Sequence, residues 1–159
     1  MKEQRIARLL EARQLEELEA NDAEVAAIWS AALREWADAS VPGLSVPGRF
    51  MHLYQSAFRA ATAVLRAGGY RCRGAVGGHH HATFYAAGAL GDDEMERLAD
   101  ALQGVRGDRH RALYGDEDEL EEVEVEEAGR LVGEFLSSAH GWIVLRRVEL
   151  EGRLQLPAS

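Results

Sequence analysis

Apolar residues recur along most of the chain at the three- and four-residue spacing of amphipathic helices. Val25, Ile28, Trp29, Ala32, Leu33 and Trp36 form one stripe, with Asn21 or Asp22 placed to cap its start. Phe50, Leu53, Tyr54, Ala57, Phe58, Ala61, Val64 and Leu65 form a second, with Pro47 near its first turn and Gly68-Gly69 at its end. A third helical region is predicted in two parts. A short segment runs over residues 80–90, and a restart at Gly91-Asp92-Asp93 leads into the stripe Met95, Leu98, Ala99, Leu102 and Val105. A fourth helix carries Ala128, Leu131, Val132, Phe135, Leu136 and Ala139. Glutamates crowd its first turns, where the helix dipole favours negative charge. Ahead of these, Ile6, Leu9, Leu10, Leu15 and Leu18 predict an additional N-terminal helix.

The C-terminal residues carry two readings. Trp142, Val144, Val148, Leu150, Leu154 and Leu156 alternate at period two, and Gly152 can occupy a turn, which predicts a short strand hairpin. The same residues can extend the fourth helix, at the cost of Gly141 in its interior. Helices joined by short loops predict an all-α protein, an antiparallel four-helix bundle. The expected organisation is a helical extension over residues 1–20, the bundle over 21–140 and a C-terminal extension over 141–159.

At 159 residues the chain is the size of one domain and needs no disulfide staples. Its single cysteine, Cys72, excludes a disulfide framework and a cysteine zinc cluster. No apolar run approaches the roughly 20 residues of a membrane span. The first residues lack the apolar stretch of a signal peptide. A soluble, cytoplasmic protein is therefore expected.

The net charge of -9 argues on its face against nucleic acid, but its distribution changes that picture. Residues 116–127 hold nine carboxylates and no base, and the remaining 18 acids balance 18 bases. Residues 39–91 hold no carboxylate at all, but include Arg49, Arg59, Arg66, Arg71 and Arg73 together with His52, His79, His80 and His81. Any anion-binding face must be local.

Two segments can carry chemistry. The first, Gly69-Tyr70-Arg71-Cys72-Arg73-Gly74 followed by Gly77-Gly78-His79-His80-His81, opens the third helical region. Helix-start amides, glycines and basic side chains suit a phosphate. Adjacent histidines point about 100° apart on a helix and share one ion poorly, so no metal is expected there. The second segment, Val105-Arg106-Gly107-Asp108-Arg109-His110-Arg111-Ala112-Leu113-Tyr114, packs three arginines and a histidine at the end of that region. Arginine is a bidentate phosphate donor, and a histidine titrates near neutral pH. The plain alternative is a helix end whose bases pair with the acidic block. Positive neighbours of Cys72 are expected to lower its thiol pKa, although no partner for a cysteine nucleophile is visible.

Three segments in order resemble the HEPN family of small helical-bundle domains. They are Leu53-Tyr54-Gln55-Ser56-Ala57-Phe58-Arg59-Ala60-Ala61, the glycine-rich entry from Gly69-Tyr70-Arg71 to Gly78-His79-His80, and Arg109-His110-Arg111-Ala112-Leu113-Tyr114 before the acidic block. The resemblance covers roughly residues 22–139. It implies a metal-independent ribonuclease or a derivative of one, without cofactor, working as a homodimer in a toxin–antitoxin or stress or defence setting, with a nucleotidyltransferase or other antitoxin as cognate partner. Arg109 matches the family arginine and His110 the polar residue after it. Tyr114 stands where the family has its histidine, and a phenol is a poor general base at neutral pH. The resemblance then implies a module that binds RNA, a nucleotide or a partner protein through Arg71, Arg73, His79, Arg106 and Arg109. If cleavage survives, Arg109 would act with His110 or His80, and Tyr114 would lie in the same site. A protein-interaction scaffold without nucleic acid is the third expectation.

Overall fold

The structure is a computed structural model that describes residues 2–73, 79–105 and 120–158. It is mostly helical. The elements run α1 (Lys2–Glu11), β1 (Leu15–Glu17), α2 (Asp22–Asp38), α3 (Val46–Ala67), β2 (Tyr70–Cys72), α4 (His79–Leu90), α5 (Asp93–Gly104) and α6 (Glu122–Arg146), closed by a 3-10 turn over Val148–Leu150. No helix among the described residues is long and apolar enough to cross a membrane.

Local chemistry sets most boundaries. Asn21, not Asp22, caps α2, its side chain accepting from the Glu24 amide at 2.8 Å. Ser45 caps α3, whose first turn holds Pro47. Gly69, at φ +88, carries the chain out of α3 in a conformation that suits glycine. Asp92 caps α5 by accepting from the Met95 amide at 2.9 Å, which is why the third helical region breaks into two helices.

Helix α3 is the centre. Twelve of its 22 residues are buried, five of them alanines. It packs against α2, α4 and α6. Ser56 donates to the Ala32 carbonyl of α2 at 2.8 Å. Phe84 of α4 meets Tyr54 and Phe58 of α3 and Phe135 of α6 edge-on, with ring centroids 6.0, 6.2 and 6.3 Å apart. Helices α3 and α6 run parallel: Arg49 pairs with Glu122 at their starts, and Arg147, just after α6, donates to the Ala67 carbonyl at the end of α3.

Two expectations change. The N-terminal apolar stripe is helical only to Glu11, and residues 15–17 instead form a strand antiparallel to β2, with Leu15 opposite Cys72, Glu16 opposite Arg71 and Glu17 opposite Tyr70. Leu15 is buried by that pairing, whereas Leu18 is exposed. Such a pair joins residues more than fifty positions apart, so helical spacing alone does not reveal it. Ile6, Leu9 and Leu15 belong to the same core cluster as α3.

The hairpin expected for the tail does not form; α6 continues through Gly141 to Arg146. The period-two pattern fails because Val148 and Leu156 are exposed, whereas Ile143, Leu150 and Leu154 are buried. The glycine's interior cost of about 1 kcal/mol is offset by burying Ile143. The last residues strap across α2 and α6: Trp29 and Trp36 donate their indole N–H groups to the carbonyls of Gln155 and Ala158 at 2.8 and 2.9 Å. His140 bonds the Leu154 carbonyl at 3.0 Å.

Arg66 ties these parts together. It is 5% exposed and donates to the carbonyls of Leu18, Glu19 and Tyr70 and to the Glu24 carboxylate. Arg66→Met keeps the volume but leaves those acceptors without their donor. It should lower the unfolding free energy by about 2–4 kcal/mol in urea denaturation. Arg71→Ala, which breaks a surface pair, should change it by less than about 0.5 kcal/mol. Equal losses in the two variants would remove Arg66 from this role.

Candidate functional site

The α4–α5 pair lies between the two chemistry-bearing segments in the chain. A Cβ on Gly88 would lie 3.3 Å from both the Glu96 Cα and the Ala99 Cβ, so α4 and α5 pack closely next to the short turn that joins them. α4 begins at His79 and α5 ends at Gly104. β2, with Arg71, leads into the first of these points, and Arg106 follows the second after one residue. In the chain, the glycine-rich segment directly precedes the α4–α5 pair and the arginine cluster directly follows it. Arg106, Arg109, His110 and Tyr114 themselves lie outside the described residues, as do the side chains of His79 and His80.

The described bases of the carboxylate-free stretch are largely taken by carboxylates from elsewhere. Arg49 pairs with Glu122, Arg66 with Glu24 and Arg71 with Glu16, the last across the β1–β2 pair. Arg73 is exposed and makes no ion pair among the described residues. His81 is exposed and stacks on Tyr85, with ring centroids 5.8 Å apart, and the Arg5 guanidinium lies over that tyrosine ring. Within the acidic block, the described carboxylates of Glu122 and Glu127 are held by Arg49 and Arg130. The side-chain hydrogen bond from Arg130 lowers the pKa of the Glu127 carboxyl.

Beside α2 and α3 lies a group that the spacing of chemical residues along the chain did not single out. Glu35, Asp38 and His52 each offer a ligand atom within 4.8 Å of the others. His52 Nδ1 lies 2.7 Å from Glu35 Oε2, and Arg59 Nε lies 3.9 Å from Glu35 Oε1. The signal available in the sequence was the one-turn spacing of Glu35 and Asp38. Only the α2–α3 packing brings His52 to them. The clefts found among the described residues include one of about 230 Å³ between α2, α3 and α6, lined in part by Trp36, Arg49, Leu53 and Glu126.

Cys72 departs from expectation. Its pKa is raised, not lowered, because burial disfavours the thiolate; the Thr83 hydroxyl, donating to Sγ at 3.3 Å, offsets this only in part. The neighbouring Arg71 is turned to Glu16.

Compared with protein-family models, with curated proteins and with solved structures, the chain matches none.

Cys72 should therefore be a slow thiol. At pH 8 its reaction with a disulfide reagent should be at least about tenfold slower in the folded protein than in the chain unfolded in urea. Because the folded pKa is the higher one, the thiol's contribution to stability is complete below its ordinary value of 9.0 and is lost as pH rises past it. Equal thiol reaction rates in the folded and unfolded chain would contradict the burial argument.

Proposed function

We propose that the chain is a HEPN-like four-helix module, built on α2, α3, α4 with α5, and α6, that binds phosphate groups of RNA or a nucleotide without cleaving them. The observation that supports this reading is the close-packed α4–α5 pair, which the glycine-rich segment directly precedes and the arginine cluster directly follows in the chain. Arginines brought together from separated segments can engage several phosphates of one ligand at once. On this reading Arg109 and Arg106 are the main phosphate donors, with Arg73 and His79 from the other segment. Arg71 contributes only when it leaves Glu16, which an exposed ion pair permits at small cost. Tyr114 stacks on or hydrogen-bonds the ligand. Its phenol is the reason for reading the module as a binder rather than a nuclease. A homodimer with Arg109 near the interface, and a nucleotidyltransferase or other antitoxin as partner, belong to the same proposal.

Single-stranded RNA labelled at one end, titrated with the full chain in chelator at about 50 mM and about 200 mM salt, tests it. Wild type should bind, weakening as salt rises. Arg109→Ala should weaken binding by about tenfold, the loss of one charge-assisted contact. Unchanged binding by Arg109→Ala overturns the assignment. Cleavage of the RNA in chelator, abolished by His110→Ala or His80→Ala, would replace the binding module with the ribonuclease.

A further inference from the structure

The last turn of α2 contains Glu35 and Asp38 and no base. A helix C-terminus is the negative end of the helix dipole, worth roughly half an elementary charge, and basic residues are favoured there. Here two carboxylates sit at that end. The Asp38 carboxylate is exposed and makes no ion pair among the described residues. The only guanidinium near Glu35 among the described ion pairs is that of Arg59, 3.9 Å from Oε1 and itself half-exposed. Two carboxylates and a dipole end thus meet one imidazole and one guanidinium.

We infer that Glu35, Asp38 and His52 bind a single divalent transition-metal ion of the zinc type. One imidazole with two carboxylates suits zinc and its first-row neighbours, whereas an imidazole is a poor ligand for magnesium or calcium. Tetrahedral zinc bonds of about 2.0–2.2 Å require donor atoms about 3.3–3.6 Å apart. The three donors lie within 4.8 Å of one another, with the closest pair at 2.7 Å. The ion therefore needs side-chain movements of about 1 Å and exchanges the Glu35–His52 hydrogen bond for two metal bonds.

The backbone need not move. Ser56 pins α3 to the Ala32 carbonyl of α2 next to the site, and Ala32 and Ala57 are buried between the helices. Arg59 faces Oε1 of Glu35 and leaves Oε2 to the metal, an outer contact that orients the ligating carboxylate. Three protein donors leave at least one coordination position open to water or an incoming ligand. The site shares no residue with the arginine cluster and does not depend on the RNA-binding reading.

Zinc ion alone is the probe, titrated into the full chain against a chromophoric chelator, with nickel and magnesium in parallel. The result expected is one tightly bound zinc per chain and no competition from magnesium. Asp38→Asn should weaken zinc binding by at least about tenfold without lowering the metal-free melting temperature, because the Glu35–His52 hydrogen bond survives and one carboxylate leaves the negative end of the helix dipole. His52→Ala should weaken it at least as much. The combined His79→Ala, His80→Ala and His81→Ala variant should bind zinc as wild type does. Absence of stoichiometric zinc, full affinity in Asp38→Asn, or loss of zinc only in the triple-histidine variant each overturns the site.

Discussion

A helix buried along most of its length has to be thin, and α3 meets that condition with alanine. Ala57, Ala60, Ala61, Ala63 and Ala67 let α2, α4 and α6 approach its backbone, and the gaps are filled by a few large rings, Phe84 foremost. The same burial explains why the helix holds no carboxylate. An ionised group inside that packing must bring its partner with it, and the one buried charge α3 does carry, Arg66, brings four acceptors. The absence of acids from α3 thus reflects its central position before it reflects any ligand.

From that centre the termini are drawn in. Arg66 fixes the chain around β1, β2 lies on β1, and α1 packs on α4. At the other end of the chain, two tryptophans of α2 hold the last residues by their indole N–H groups, while Leu150 and Leu154 fill the gap beneath. Segments that look like additions to a bundle in the sequence are part of one core.

The outer faces then sort charge. Bases of the acid-free stretch reach carboxylates on α2, β1 and α6, so most of the described positive charge is already neutralised. What is left over is of two kinds. One is Arg73, exposed and without an ion pair among the described residues, just ahead of the glycine-rich segment. The other is the last turn of α2, where negative charge outweighs positive around Glu35, Asp38 and His52. These two places can attract opposite kinds of ligand.

Helix identity was legible in the sequence by itself. The stripes of α2, α3, α5 and α6, the caps at Asn21 and Asp92 and the stops at Gly68-Gly69 act within a few residues, and period and capping are local properties. So was the clustering of arginines in the segment after Val105. The tertiary structure alone decided the rest. Leu15 became a strand because Cys72 lay opposite it, and α6 ran on through Gly141 because Ile143 reached the core, with Leu150 and Leu154 buried beyond it outside any strand. Cys72 lost the influence of its arginine neighbour because burial outweighed it and Glu16 took Arg71. His52 met Glu35 and Asp38 only because α2 and α3 pack antiparallel. In each case the deciding contact joins residues distant in the chain, and the free energy of such a contact exists only once the chain has folded.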